Sequence, residues 1–371
     1  MKEPKIRFKG FQGEWEEKAL GCCVAFWDSM RQPIEEVKRI KGIYPYYGAS
    51  GVVDYINDYI FDEELILLSE DGANITDRNY PVCFIARGKY WVNNHAHVLK
   101  ANKGFDNVFL CNNLERKDYT QYNTGMAMPK LNKEVCIRIP VLYPTLPEQQ
   151  SIASYFQHLD SLIQSTTKKI ESLKQVKAAS LQSMFPQEGE TTPRVRFKGF
   201  EGEWEETTIG KVTSVKRGVR VTRKNLRDHG LYPVYQNTDY PMGYYNRYNV
   251  ESNNPFVIIG GSAGLIGFCD KDFWAADDCA YFSDSVKLDK SYLYSMLLNK
   301  SSEIKKNVRG SSVPRLDRQV INDLNIILPS ITEQRAIASY FTNLDRQITL
   351  QTQRLEKLKQ IKSACLDKMF V

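Results

Sequence analysis

The sequence has no apolar run that approaches the roughly 20 residues needed to cross a membrane. Its first residues, MKEPKIRFKG, also lack the apolar core of a signal peptide, so we expect a cytoplasmic protein with no membrane partner. The eight cysteines include no C-x-x-C pair, and the usual zinc and redox motifs are therefore absent. We expect reduced, mostly buried thiols and no bound metal.

Neither sign of charge dominates the composition. The 50 Lys and Arg against 44 Asp and Glu give a net charge of +6, which points only mildly toward a polyanionic partner and excludes a polybasic tail. The 371 residues are 42% hydrophobic and 12% aromatic, which suffices for two or three domains with buried cores.

Two blocks of sequence occur twice. Residues 4–21, PKIRFKGFQGEWEEKALG, return at 193–210 as PRVRFKGFEGEWEETTIG. The segment EQQSIASYFQHLD from Glu148 returns as EQRAIASYFTNLD from Glu333. Between these blocks the halves differ almost completely. The period is far too long for a solenoid and indicates a tandem chain with two divergent inserts, roughly 22–144 and 211–329.

The second repeated block predicts a long helix in each half. Thr145 to Glu148 and Ser330 to Glu333 both fit the S/T-x-x-E capping box, in which the hydroxyl and the glutamate satisfy amides of the first turn. Apolar residues then recur at three- and four-residue spacing for about 40 residues. We expect the two helices to pair as an antiparallel coiled coil about a pseudo-twofold axis, with docking onto a foreign helix as the alternative. The predicted pairing residues are Leu159, Ile163, Ile170, Leu173, Leu344, Ile348, Leu355 and Leu358.

Each insert reads as a mixed α/β domain. Short β-branched and aromatic runs at 65–68, 255–259 and 324–328 are bounded by Gly, Asn and Asp, which is typical of strands between loops. The predicted fold class is therefore α+β, with two such domains joined by two long helices. The predicted boundaries are 1–144 for the first domain, 145–187 for the first helix, 188–329 for the second domain and 330–371 for the second helix.

The order insert, long helix, insert, long helix, with the R-F-K-G-F-x-G-E-W-E opening and the LPEQ and TEQRAIASYF helix starts, resembles the specificity subunit of type I restriction-modification systems. The resemblance covers the whole chain. It implies that the inserts are target recognition domains, each reading one half of a bipartite double-stranded DNA sequence. It also implies that the helices set the spacing and dock two methyltransferase subunits, that a separate restriction subunit cuts, and that adenosylmethionine binds to the methyltransferase. This chain is then non-catalytic and holds no cofactor.

In the second insert, residues 211–224 carry six basic residues and no acid, enough to neutralise several phosphates. An amide- and aromatic-rich loop follows, and Asn, Gln and Arg side chains can pair bidentately with base edges. The alternatives are a solvated charged hairpin and an aromatic turn packed on its own domain. The candidate DNA-binding residues here are Lys216, Arg217, Arg220, Arg223, Gln236, Asn237, Tyr240 and Arg247.

In the first insert the candidate DNA-binding residues are Tyr46, Tyr47, Ser50, Asn74, Arg87, Lys89, Asn93 and Asn94. His95 and His97 would share one face of a strand, but no third metal ligand is evident. We therefore favour DNA contact or a hydrogen-bonded core histidine over a zinc site. Trp15 and Trp204 lie in the repeated opening, and we expect both to be core residues because halves that read different sequences share them.

Two further motifs suggest other activities. Asn253-Asn254-Pro255-Phe256 resembles the N-P-P-F signature of amino-methyltransferases, although Asn254 stands where that family has proline. The glycines at 260, 261 and 264 do not fit G-x-G-x-x-G spacing, and we interpret them as a turn after a strand. An adenine-N6 DNA methyltransferase in its own right and a coiled-coil scaffold for protein partners are the alternative functions.

Overall fold

The computed structural model describes residues 2–187 and 189–371. The chain divides into two compact units: residues 1–167 with 354–371 form the first unit, and residues 168–353 form the second. The division falls inside both long helices and not at their ends. Glu188, at which the second recognition domain is predicted to begin, lies outside the described residues.

The first unit is built from three sheets with short helices. A two-stranded ribbon pairs β1 with β10, and two four-stranded sheets have the orders β2-β9-β6-β7 and β4-β3-β8-β5. The elements are β1 (Glu16–Ala19), α1 (Leu20–Cys23), β2 (Val24–Phe26), β3 (Lys41–Gly48), β4 (Gly51–Ile56), β5 (Phe61–Asp62), β6 (Leu65–Ser69), α2 (Asn74–Asp77), β7 (Cys83–Ala86), β8 (Lys89–Val92), β9 (Ala96–Ala101), α3 (Asn107–Glu115), α4 (Lys133–Cys136), β10 (Pro140–Tyr143) and the long helix α5 (Leu146–Ser183).

The second unit repeats this plan with fewer paired strands. Its ribbon pairs β11 with β19, and its sheets have the orders β12-β18-β15-β16 and β14-β13-β17. The elements are β11 (Glu205–Thr208), α6 (Ile209–Val212), β12 (Val215–Arg217), β13 (Tyr232–Tyr235), β14 (Tyr244–Tyr245), β15 (Asn254–Ile258), β16 (Ile266–Cys269), β17 (Trp274–Ala275), β18 (Cys279–Phe282), α7 (Lys290–Asn299), α8 (Ser301–Lys306), α9 (Arg318–Asn322), β19 (Asn325–Leu328) and the long helix α10 (Ile331–Met369).

The predicted runs at 65–68, 255–259 and 324–328 form strands β6, β15 and β19, and the first two are central in their sheets. All five residues of β6 and all five of β15 are buried, as expected for central strands covered on both faces. The two tryptophans of the repeated opening are 2% and 4% exposed, which confirms the core prediction for Trp15 and Trp204. All eight cysteines are free thiols and six are buried, as expected.

The two long helices begin within one residue of their predicted starts and have 38 and 39 residues. The hydroxyl of Ser330 accepts a hydrogen bond from the amide of Glu333 at 3.3 Å, as a capping box requires. The capping prediction is wrong for the glutamates, however. Their carboxylates accept hydrogen bonds from arginines and not from amides of the first turn. No described helix is long and apolar enough to cross a membrane.

The repeated opening and the repeated helix start meet in each unit as an arginine–glutamate pair. Arg7 donates from Nε and Nη2 to the carboxylate of Glu148 at 2.7 and 2.8 Å, and Arg196 does the same to Glu333. Both carboxylates are only 2% exposed. The hydrogen bond that each arginine donates to its buried carboxylate raises the pKa of the arginine above its ordinary value. The pair explains why these two blocks stay alike, since a charge buried without its partner is strongly destabilising.

A glutamine follows each of these glutamates, and its side chain holds the variable insert through backbone groups of the insert. Gln149 accepts a hydrogen bond from the amide of Asp106, at the start of α3, and donates to the carbonyl of Gly104. Gln334 makes the equivalent contacts with the amide of Asp289 and the carbonyl of Lys287. Because any residue but proline offers both backbone groups, the same glutamine can hold inserts of different sequence.

Within each unit, segments of the two long helices lie against one another. In the first unit, Asp160 pairs with Lys362 at 2.5 Å, and Phe370 packs on Phe109 and Phe156. In the second unit, Lys177 pairs with Asp345 at 2.6 Å, Ser180 bonds to Tyr340 at 2.9 Å, and Phe185 packs on Phe341. Of the predicted pairing residues, Leu159, Ile170, Leu173 and Leu344 are buried, and Ile163, Ile348, Leu355 and Leu358 are half-buried.

Candidate nucleic-acid interface

Two parallel strands of the second unit place the predicted amide loop. Strand β13 runs parallel to β17, with Tyr235 opposite Ala275, so their carboxyl ends meet at one edge of the sheet. Tyr235 is buried against Phe256 with ring centres 4.5 Å apart, which fixes the end of β13. Burial raises the pKa of Tyr235 well above its ordinary value. Gln236 and Asn237 leave the sheet directly after this anchor.

Five of the predicted contact residues line one open cavity of about 490 Å³ at this edge: Arg220, Arg223, Gln236, Asn237 and Tyr240. The remaining lining residues are Val221, Thr222, Thr238 and Met242, which the sequence analysis missed. No spacing signal connects these two stretches. They lie together because the amide of Val219 donates to the carbonyl of Ala275 on β17, and β17 pairs with β13, which ends at Tyr235. We call this the amide–arginine cavity.

One wall of the amide–arginine cavity packs against the sheet, and the opposite side is exposed to solvent. Val221 is 8% exposed and packs with Val234 and Ala276, so the basic segment is pinned to the sheet. Tyr240 is 66% exposed, and the hydroxyl of Thr238 donates to its carbonyl at 2.9 Å. The phenol ring is therefore largely exposed and available for stacking.

The cations around the cavity are not neutralised within the described part of the chain. Among residues 2–187 and 189–371, no carboxylate forms an ion pair with Arg220 or Arg223. Arg217 donates to the backbone carbonyl of Asp277 at 2.6 Å, which is not an ion pair. Unpaired guanidinium groups beside amide side chains can bind phosphate oxygens and base edges together.

Three predicted contacts of the second unit, Lys216, Arg217 and Arg247, do not line the cavity. Lys216 is exposed on β12, where its backbone pairs with Tyr281 of β18. Arg247 is exposed in the loop after β14.

The first unit has a matching parallel pair but a smaller set of exposed polar groups. Tyr47 at the end of β3 lies opposite Val92 at the end of β8. Ser50 and Asn94 follow these strand ends and are exposed. Arg87 and Lys89 lie at the opposite end of β8, where Arg87 pairs with Glu64 at 2.8 Å and the Lys89 ammonium lies 4.5 Å from the ring centre of Tyr59. The structure therefore does not bring all the first-insert candidates together.

Three predicted DNA contacts of the first unit are buried, and their burial argues against direct contact with DNA. Tyr46 is 1% exposed and its hydroxyl accepts from the amide of Ile34. The amide of Asn74 donates to Ser69 and to the carbonyl of Pro81, and Asn93 accepts from the amide of His95. These polar groups close turns inside the domain. Tyr47 is half-buried, with its ring stacked on Phe84 and edge-on to Tyr90.

His97 is a hydrogen-bonded core histidine, one of the two interpretations that the sequence analysis favoured over a zinc site. Its Nδ1 lies 2.8 Å from a carboxylate oxygen of Asp28, and its Nε2 lies 2.7 Å from the carbonyl of Leu131. Burial by itself lowers the pKa of His97, but the hydrogen bond and charge of Asp28 raise it to about 10. His95 is exposed and pairs with Asp71 at 2.9 Å.

The two motifs that suggested other activities are structural. Asn254 is 2% exposed, donates to the carbonyl of Phe282 at 2.9 Å and accepts from its amide at 3.4 Å, so its side chain joins β15 to β18. The segment 259–265 links the antiparallel strands β15 and β16. This hairpin confirms the turn interpretation of the glycines.

Comparison with known proteins shows the family of this chain. The family model described as the type I restriction modification DNA specificity domain matches it twice, at residues 12–175 and 201–360. The chain belongs to this family. The second match contains the complete lining of the amide–arginine cavity, and the first contains the turns that carry Ser50 and Asn94.

Whole-chain relatives agree with this family. The chain is 21% identical to the specificity subunit of the type I restriction enzyme MjaVIII of Methanocaldococcus jannaschii, over 95% of this chain and 91% of the relative. It has the fold of the type I restriction-modification S subunit from M. genitalium, with a TM-score of 0.81 at 15% identity, covering 100% and 99% of the two chains. A chain from a structure concerned with complex assembly of the type I R-M system matches with a TM-score of 0.51 at 16% identity, covering 96% and 97%.

Proposed function

We propose that this chain is the DNA-binding specificity subunit of a type I restriction-modification complex and that each unit reads one half of a bipartite double-stranded target. The amide–arginine cavity carries the proposal. It combines the side chains that pair with adenine and guanine edges with cations that bind phosphate. The family to which the chain belongs supports DNA as the ligand.

We further propose that α5 and α10 form an antiparallel coiled coil that sets the distance between the half-sites. In both units the contacts between the helices support this, since residue numbers rise along α5 as they fall along α10. Exposed surface on these helices would dock two methyltransferase subunits, which bind adenosylmethionine and perform the reaction. A restriction subunit would supply cleavage, and this chain would be non-catalytic.

An independent adenine methyltransferase is less well supported. The asparagine of the methyltransferase signature must bind the exocyclic amine of the substrate, but both polar atoms of Asn254 are engaged with Phe282 in a buried ladder. A protein scaffold without DNA binding leaves unexplained the cavity arginines, which have no ion-pair partner within residues 2–187 and 189–371.

The proposal is tested by co-expression with the cognate methyltransferase and sequencing-based detection of methylated bases. We expect methylation at one bipartite sequence. Replacement of residues 22–144 by an insert from another family member should then change one half-site and leave the other intact, because Gln149 holds the insert through backbone groups.

As a control, the same residues are replaced by the insert of a relative with the same target, which should change neither half-site. Methylation that stays unspecific, or a chimera in which both half-sites change, would contradict independent reading by the two units.

A further inference from the structure

One segment occupies the same place in both units. In the first unit the indole of Trp91 donates to the carbonyl of Gln32 at 2.5 Å, and in the second the indole of Trp274 donates to the carbonyl of Val219 at 2.8 Å. The amides of Gln32 and Val219 donate to matching residues at the ends of β8 and β17. A 3₁₀ helix begins four residues later in each, at Glu36–Lys38 and Arg223–Asn225. Residues 33–40 therefore correspond to residues 220–227.

The two segments differ sharply in chemistry. Four exposed cations of the second unit correspond to one proline, one acid and two apolar residues of the first: Arg220, Arg223, Lys224 and Arg227 to Pro33, Glu36, Val37 and Ile40. Val37 is 90% exposed and Ile40 is 66% exposed. Large exposed apolar side chains, at the place where we propose that the other unit contacts DNA, are suited to a ligand with apolar groups.

The cations of segment 33–40 do not restore its charge. Lys38 pairs with Glu35 at 2.9 Å. Arg39 lies 4.5 Å from the ring centre of Tyr46 and pairs with Asp54 at 3.4 Å. The segment therefore presents no free cation for phosphate among the described residues, and Glu36 adds an exposed negative charge.

Resting on the proposed function, we infer that segment 33–40 reads the first unit's half-site through the 5-methyl groups of thymine, with Val37 as the central contact. Thymine is the one base that shows a methyl group in the major groove, and apolar side chains recognise it. The second unit instead uses segment 220–227 to hold phosphate. At this segment, the second unit thus contributes affinity for phosphate, and the first unit contributes discrimination between bases.

The test uses the complex with the cognate methyltransferase, on the target found by methylation sequencing, with the first unit's half-site assigned by exchange of residues 22–144. Uracil replaces thymine in one half-site at a time, which removes the methyl group and leaves every phosphate in place. We expect about fourfold weaker binding for each contacted methyl in the first unit's half-site, from about 0.8 kcal/mol per buried CH₂.

Val37→Ser should bring the thymine-to-uracil affinity ratio for that half-site close to one. Val286→Ser is the matched control, because Val286 is 94% exposed and lies in the second unit; it should leave the ratio unchanged.

A first half-site without thymine, or a wild-type ratio of one, overturns the inference while the bipartite methylation still supports the proposed function. Weaker assembly of Val37→Ser with the methyltransferase at an unchanged ratio would assign the segment to protein docking instead. If no bipartite sequence is methylated at all, the proposed function itself fails.

Discussion

Removal of charge from the amide–arginine cavity should alter how salt affects DNA binding. Arg220 and Arg223 line the cavity without an ion-pair partner in the described ranges, so each is available to a phosphate. The slope of log affinity against log salt changes by about 0.9 for each neutralised phosphate. Arg220→Ala with Arg223→Ala should therefore flatten the slope by about 1.8.

Extending the change to Lys216 and Arg217 brings the loss to about 3.6 if all four cations meet phosphate. Between 50 and 200 mM salt, that difference corresponds to on the order of a hundredfold in affinity. Adding the substitutions on β12 in a second step shows whether DNA extends beyond the cavity along that strand.

The assay is fluorescence anisotropy of labelled target DNA with the methyltransferase complex at several salt concentrations. Methylation sequencing should show an unchanged target sequence, because phosphate contacts carry affinity but no sequence information. Lys305→Ala with Lys306→Ala is the matched control, since both lysines are exposed in the second unit and lie outside the cavity. A slope equal to wild type in the cavity variant, or an equal loss in the control, would refute the assignment.

Three further predictions concern the helices and the buried charges. Four residues inserted after Lys174 and four after the facing Ile348 add about 6 Å to the helix pair. The methylated gap should then become longer by roughly one to two base pairs. An active variant that keeps the original gap would show that the helices do not set it. Arg7→Met should destabilise the protein by about 3–5 kcal/mol in denaturant unfolding, because it leaves the buried carboxylate of Glu148 unpaired, whereas the additional change Glu148→Met should recover much of this loss. The folded-state pKa of His97, about 10, exceeds its ordinary value of 6.5, so its contribution to stability is complete below pH 6.5 and is lost as pH rises toward 10; thermal unfolding of His97→Gln should show a weaker loss between these values than wild type.

Local sequence patterns were sufficient for the elements that depend on local physics. The helices starting at Leu146 and Ile331 follow from apolar spacing and their first-turn residues, and the buried strands β6 and β15 follow from short apolar runs bounded by turn residues. The repeated blocks also indicated the duplicated architecture before any contact was known.

Tertiary contacts decided the role of each polar side chain. Glu148 looked like a capping residue, but Arg7, 141 positions away, takes its carboxylate. Tyr46 and Asn93 were predicted to contact DNA, but both are buried inside the domain. Spacing cannot reveal such partners, because they lie far apart in the chain and depend on how the elements pack.

The sequence by itself thus determined the family, the long helices and the chemical character of the basic segment at 220–227. Only the tertiary structure decided that this segment faces Gln236 and Asn237 across one cavity, since parallel pairing of β13 with β17 brings distant stretches to a common edge. The physical reason is that periodicity records which face of an element is buried, whereas a binding site depends on contacts between elements far apart in the chain.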